Sequence, residues 1–591
     1  MIYRCRTKST SGTVQKRQNK CDVARGLRLF SAQPRGTESI KIPITIKNKS
    51  AIVPVAVTMI CLVPFLNKAF NIDEPLFIWT AKHILKEPSN FYGFKINWYG
   101  TTEPMSNIMK NPPLTCYFIA PAGKFFGFNE VSLHAVFILP AIAAAAGVYY
   151  LGVILCSQPI LAALAAILTP GFLVSSTNIM CDTMMLAFWI WAVFFWIKGM
   201  KEKNALNLFF AAILTGVCAM TKYFGMSLLG LLFVYSVVRE RKIGKWALFL
   251  LIPITILAGY QLLTYIFYGR GFLSDAASYA TSFKWREGLT LFRESLTGLS
   301  FTGGCILTIL FYIPLLYPRR FIISLGLLVI LLIVALNFVG KIGGFSVHSS
   351  DGMKWDFAIQ FSVLVAAGTG VLGLAVMDFW EHRDADSLLL LLWMFGTFIF
   401  ASLLNWTINA RSVLPMIPAA GILLARRLER RNKGKQRTNK RRILWPMVPA
   451  AIIALLVCWA DYTLANSART VAKAIHEKFA NQPGVLRFEG HWGFQYYMET
   501  AGGVAFDLES PVAYPGDIIV IPMNNTNTCL LPEELLIENK SFQFDLLPYI
   551  GTMCLPLGAG FYSDLGGPLP FAIGTVEPET YLTFTVKLKG T

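Results

Sequence analysis

Residues 131–156 read VSLHAVFILPAIAAAAGVYYLGVILC, with no Asp, Glu, Lys or Arg among them. A helix rises about 1.5 Å per residue, so this run is long enough to cross a hydrocarbon core about 30 Å thick. Outward from it, apolar runs of roughly 16 to 25 residues recur between Ala51 and Ala460. The economical set of spans is 51–70, 131–156, 159–177, 181–198, 205–220, 222–238, 246–268, 299–317, 320–338, 356–377, 387–404, 411–426 and 443–461. The 591 residues are 54% hydrophobic and 15% charged, too apolar for an ordinary soluble domain. These features predict a polytopic α-helical membrane protein with about 13 transmembrane helices.

The net charge of +19 does not point to nucleic acid, because the basic residues sit in short clusters between apolar runs. They act instead as a topology signal. About a dozen Lys and Arg fall within residues 1–50, which have no apolar core and read as a disordered cytoplasmic extension. With that end inside, KGMKEK (198–203), RERKIGK (239–245), PRR (318–320) and RRLERRNKGKQRTNKRR (426–442) also fall inside. PPLTCYFIAPAGKFFGF (112–128) is the decisive segment. It is short and interrupted by Pro121, Gly123 and Lys124, and counting it as a span would export the basic run at 426–442. It is therefore expected to lie on the outer surface as an interfacial helix. The loops 71–130, 269–298 and 339–355 then lie outside, as does the tail from 462.

The tail alternates a polar helical stretch, SARTVAKAIHEKF, with short strand patterns, GVLRFEG and GDIIVIP. Residues 462–591 are expected to form a small soluble extracytoplasmic α/β domain. The eleven cysteines show no CxxC pair and no zinc-ligand spacing. Cys529 and Cys554 read equally as a disulfide or as two separate thiols.

Chemistry-bearing residues gather at the predicted outer ends. Asp73 and Glu74 stand just beyond the first span, and on position alone they also read as a solvated acidic turn or a helix N-terminus. Asp182 sits at the membrane edge, where it reads either as the cap of the helix beginning near Thr183 or as a functional carboxylate. Lys110, Lys222 and Arg411 are outer cations, suited to headgroup snorkelling or to holding a lipid-linked phosphate. Phe91, Tyr92, Phe94, Trp98 and Tyr99 give the first loop a density of rings suited to interfacial anchoring or to stacking on sugars.

In order along the chain, NIDEPLFIWTAKHIL (71–85), NPPLTCYFIAPAGKFFGFNEVSLHAV (111–136), NIMCDTMMLAFW (178–189), TKYFG (221–225) and NARSVLPMIP (409–418) resemble the GT-C membrane glycosyltransferases. The branch they resemble is glycosyltransferase family 39, which holds the protein O-mannosyltransferases and the lipid A aminoarabinose transferases. GHWGFQYYMETAGG (490–503) looks like the soluble C-terminal part of some bacterial relatives. The resemblance implies an inverting enzyme at the extracytoplasmic face, in a bacterial inner membrane. It would transfer a sugar from a polyprenyl-phosphate donor to a hydroxyl on a lipid, glycan or protein acceptor. It carries a reaction-centre role to Asp73, with Glu74 beside it, and a second acidic role to Asp182. Lys222, Arg411 and Lys110 would hold the phosphate, and Trp98 and Tyr99 would meet the substrate. The aminoarabinose transferases place Glu-Lys before Pro-Pro-Leu, whereas Lys110 and Asn111 stand there here. That departure weakens any carry-over of lipid A specificity or metal ligation; a divalent cation stays open, with no ligands assigned. The competing class is a polytopic lipid or glycan transporter or flippase, whose mark is ionisable groups near mid-bilayer. A third is a non-catalytic glycan-binding or assembly protein, which loss of Asp73 would separate from an enzyme.

Overall fold

The computed structural model describes residues 50–286, 291–432, 443–529 and 532–587. The expected basic extension, apart from its last residue, and positions 433–442 of the basic run lie outside the described residues. Among the described residues, eight helices are long and apolar enough to cross a membrane, from Glu130–Leu155 to the 33-residue Met447–Phe479. Two bent pairs raise that number to 10: Pro159–Ile167 with Pro170–Ser176, at 67°, and Leu291–Cys305 with Thr308–Leu316, at 90°. Ile52–Phe65 and Ala205–Thr221 are shorter apolar helices.

The differences from an unbroken set of spans have local causes. Pro170 lacks an N–H and disfavours the helical conformation at the residue before it. Thr169 is accordingly extended, at φ −125° and ψ 146°, and its hydroxyl caps the new helix by accepting from the Phe172 N–H at 3.3 Å. The expected span 411–426 is in three pieces, Ala410–Val413, Leu414–Met416 and Ile417–Asn432, with Pro415 and Pro418 at the joints. Elsewhere the bundle closes tightly. A Cβ on Gly368 of helix Trp355–His382 would lie 2.1 Å from the Leu299 carbonyl oxygen, so only glycine permits that crossing.

The bundle has two unlike ends. At one, Lys201 pairs with Asp386 at 2.7 Å, Arg426 with Asp378 at 2.9 Å and Arg427 with Glu381 at 2.7 Å. This is the basic end that the sequence assigns to the inside. At the other end lie the start of the first loop, the 178–182 connection, Lys222 and residues 405–411. Helix Leu114–Phe126, within the segment whose placement sets the parity, has both ends here. Tyr92 donates to the Asn111 carbonyl just before it, at 2.7 Å, and beyond it Glu130 accepts from Arg469 and Tyr497 of the C-terminal part, at 3.1 and 2.8 Å.

The C-terminal part continues from the last long helix, and residue 462, where the tail was expected to begin, falls inside Met447–Phe479. Its six-stranded sheet runs Leu536–Glu538, Glu579–Val586, Ile518–Pro522, Leu486–Phe488, Val504–Ala505, with Phe542–Phe544 also pairing to Glu579–Val586. Leu486–Phe488 is parallel to Val504–Ala505 and to Ile518–Pro522, and helix Trp492–Thr500 forms the crossover between the first two. Ile518, Ile519, Val520 and Ile521 are all buried, as expected of a central strand covered on both faces. Cys529 is exposed, Cys554 is buried, and no disulfide joins them.

Candidate functional site

A strained turn begins the first loop. Ile72 has φ 46°, a left-handed conformation that costs a β-branched residue about 1–3 kcal/mol. Helix Trp492–Thr500 holds the chain two residues before it. The Phe70 N–H donates to the Tyr497 hydroxyl at 2.7 Å, and that hydroxyl donates to Glu130 at 2.8 Å. Gly493 packs so closely that a Cβ there would lie 1.9 Å from the Phe70 carbonyl oxygen. Glu74 has no exposed surface and does not line the cavity described below. Its oxygens accept from the Asn71 N–H at 3.2 Å and the Ile179 N–H at 3.1 Å, tying the first loop to the 178–182 connection. Burial pushes its carboxyl up to about 8, with Lys68 and the two N–H groups pulling the other way. Its place is structural, and the substrate-contact role expected for it is corrected accordingly.

Beside this turn opens a cavity of about 1390 Å³, lined by Asp73, Trp98, Tyr99, Lys110, Asp182, Lys222 and Arg411, together with C-terminal residues. Two ion pairs cross it. Arg411 Nη1 lies 3.1 Å from Asp73 Oδ2, and Lys222 Nζ lies 2.5 Å from Asp182 Oδ1. Asp182 therefore does not cap its helix: the N-cap is Met180, with no side-chain cap bond. Asp73 stands at the N-cap of Glu74–Ile84, also without a capping bond, and its side chain is 32% exposed, within reach of a ligand. Arg411 further stacks over the Tyr562 ring at 5.6 Å, and its Nε is buried with no partner among the described residues. Lys110 sits 5.3 Å from the Tyr279 ring, and burial together with Arg270 lowers its pKa.

The first-loop rings divide in two. Phe91 and Tyr92 are buried against Tyr268 and Phe272, which makes them anchors. Trp98 is 2% exposed, its ring 4.9 Å from His491, while Tyr99 is 43% exposed at the cavity. The loop is docked onto the C-terminal part: the Leu508 N–H donates to the Gly100 carbonyl at 2.7 Å, and Gln495 to the Asn97 carbonyl at 2.6 Å.

Several lining residues were not singled out from the sequence, among them Tyr562, His491, Asn524, Glu577 and Glu579. Behind the wall, Lys68 and Asp461 form a fully buried pair at 2.5 Å. Asp461 accepts from Tyr562 at 2.8 Å, and Lys68 donates to Asn178 at 2.6 Å, so this pair braces the ring under Arg411. A sequence signal existed, since Lys68 and Asp461 are lone charges at the ends of the first and last apolar runs. Among the described residues, no group of three or more His, Cys, Asp and Glu side chains could hold a metal ion. The carboxylates of Asp73 and Asp182 each face a basic side chain instead.

Residues 110–283 match the family described as dolichyl-phosphate-mannose-protein mannosyltransferase. That stretch holds Lys110, Asp182 and Lys222. No curated protein matches the sequence. Among solved structures, ArnT from Cupriavidus metallidurans bound to undecaprenyl phosphate is similar at a TM-score of 0.50 and 13% identity, over 81% of this chain and 94% of that one. The Archaeoglobus fulgidus oligosaccharyltransferase in its apo form has a TM-score of 0.45 at 14% identity, over 79% of this chain and 61% of that one. The Saccharomyces cerevisiae protein O-mannosyltransferase Pmt1-Pmt2 complex bound to the sugar donor has a TM-score of 0.28 at 18% identity, over 41% of this chain and 37% of that one. The matched segment and the shared fold bear out the resemblance of this multi-pass membrane protein to the GT-C glycosyltransferases of family 39.

Proposed function

We infer that the chain is a membrane glycosyltransferase that moves a sugar from a polyprenyl-phosphate donor to an acceptor hydroxyl, with inversion, at the extracytoplasmic face of a bacterial inner membrane. One observation carries the reading. A single cavity at the non-basic end of the bundle gathers an accessible carboxylate, Asp73, with the cations Arg411, Lys222 and Lys110. The family match over residues 110–283 and the likeness to a structure holding undecaprenyl phosphate support it.

In this reading the donor phosphate sits among the three cations, and Arg411 turns part of its charge from Asp73 toward it. Asp73 takes the proton of the acceptor hydroxyl as that oxygen bonds to the anomeric carbon from the face opposite the phosphate. The bond between the anomeric carbon and the phosphate oxygen breaks, and polyprenyl phosphate departs with both bonding electrons, its charge held by the cations. Asp182 is a positioning residue that fixes the Lys222 ammonium.

Purified protein in nanodiscs, given a polyprenyl-phosphate sugar labelled in the sugar, tests the reading. An enzyme releases polyprenyl phosphate and puts the label on an acceptor. A transporter moves the intact lipid between leaflets without cleaving it, and that outcome would overturn the proposal. The site itself favours the enzyme: its carboxylates and cations are gathered at one cavity at one end of the bundle.

A further inference from the structure

The cavity is not uniform in charge. Every Lys and Arg among its described lining residues comes from the helical part and its first loop, and each has a lining carboxylate of that part near it: Arg411 has Asp73, Lys222 has Asp182 and Lys110 has Glu103. The C-terminal stretches that complete it, within 523–527, 553–556, 562–566 and 576–580, bring Glu577 and Glu579, several amides and hydroxyls, and no Lys or Arg. We propose that this C-terminal wall is the acceptor subsite, and that it takes a hydroxyl-rich sugar without negative charge, neutral or amino-bearing. The proposal rests on the glycosyltransferase reading and adds the chemical class of the acceptor.

The wall is a built surface. Asn525 staples the His491 backbone from both sides, accepting from its N–H and donating to its carbonyl, each at 3.1 Å. Asn524 donates to the Met553 carbonyl and to Glu579, also at 3.1 Å each. The Asn525 bonds fix His491 at the cavity edge, where its ring meets Trp98 and Tyr99. His491 lines the cavity and is 3% exposed; its Nε2 lies 3.5 Å from the Thr526 hydroxyl, and its Nδ1 is buried with no partner among the described residues. Burial keeps that ring neutral, so it can donate to or accept from a hydroxyl without selecting for charge. Glu579 is buried and pushed up to about 7, which leaves the exposed Glu577 to carry most of the negative charge of the wall. A phosphorylated or carboxylated acceptor would meet like charge there, while its neutral or amino counterpart would not. The half-exposed Tyr99 ring offers a face for a sugar to stack on. The two substrates are thus sorted by charge, the anionic donor headgroup toward the side that holds all the lining cations and the non-anionic acceptor toward Glu577 and Glu579, on stretches that bring no lining Lys or Arg.

The full chain in nanodiscs, with a polyprenyl-phosphate sugar, is given three alkyl glycosides that differ only in one sugar substituent: hydroxyl, amine or phosphate. Release of polyprenyl phosphate gives KM and kcat for each. The expected result is an acceptor KM for the phosphorylated glycoside at least about tenfold above those of the other two. Glu577→Lys should shrink that gap at least about fivefold, with donor KM unchanged. Equal or better use of the phosphorylated glycoside overturns the inference, as does a Glu577→Lys protein with the wild-type ratio. Absence of polyprenyl phosphate release with every acceptor and with water counts against the glycosyltransferase reading itself, and the acceptor assignment falls with it.

Discussion

Lys68 and Asp461 meet 2.5 Å apart with no exposed side-chain surface, far from each other in sequence. Removing one member of such a pair strands a buried charge, typically at about 3–5 kcal/mol, whereas removing both strands none. Lys68→Met should therefore lower stability by about that much, and Lys68→Met with Asp461→Leu should recover a large part of it, as read by thermal unfolding in detergent. A single variant no less stable than the double would contradict the buried pair. His491 makes a second residue-scale prediction. Burial pushes its ring down to about 3. Below about pH 6.5 the unfolded chain binds a proton that the folded chain refuses, so stability is intact above that pH and falls below it by up to about 1.4 kcal/mol per unit. His491→Phe keeps a ring against Trp98 but cannot be protonated, and its stability should change less between pH 6.5 and 4.5. A parallel pH profile for both proteins would show that His491 is not the group responsible. At this scale the sequence was legible where a residue's chemistry is local: Asp73, Asp182, Lys222 and Arg411 stood out as charges beside apolar runs. It was silent on partners. Nothing in NIDEP or NARSV says that Arg411 sits on Asp73, because the pairing is made by the packing of distant helices.

Helix Trp492–Thr500 acts on the site as an element. Its Gly493 meets the Phe70 carbonyl, and its Tyr497 takes the Phe70 N–H, so it fixes the chain two residues before the strained Ile72. Gly493→Ala puts a methyl where only 1.9 Å is available, and either the helix or the first loop must move. A shift of about 1 Å at a reacting group can cost about 100-fold in rate. The variant should thus lose turnover by about that factor while still binding donor; unchanged turnover in a well-folded variant would mean that the helix does not position Asp73. Long apolar helices were easy to read, since length and composition define them. The bends were not: Pro170 announces a break, but the 67° angle depends on what the two halves pack against. Helix Leu114–Phe126 was expected outside from its short, interrupted sequence and from charge bookkeeping, and its two ends lie near contacts to the first loop and the C-terminal part.

At the scale of the molecule, a single helix of 33 residues, about 50 Å long, leaves the bundle and enters the C-terminal part, joining the sheet to the end that carries the cavity. With the basic clusters inside, protease added to intact spheroplasts should remove residues beyond about 480, whereas inverted vesicles should protect them. The opposite pattern would invert the topology and move the site to the cytoplasmic face. The class of fold and the cavity's cationic side were both legible in the sequence. The acceptor side was not, because its polar residues lie in short loops whose meeting with Trp98 and Tyr99 exists only once the chain is folded. Everything proposed about the chemistry converges on one carboxylate. The direct test is turnover of a polyprenyl-phosphate sugar by purified wild type and Asp73→Asn, with donor binding measured alongside. The amide keeps the size of the carboxylate but cannot take a proton, so kcat should fall by about 10²- to 10⁴-fold with donor binding nearly unchanged. An Asp73→Asn protein that keeps more than about a tenth of wild-type turnover would contradict Asp73 as the base.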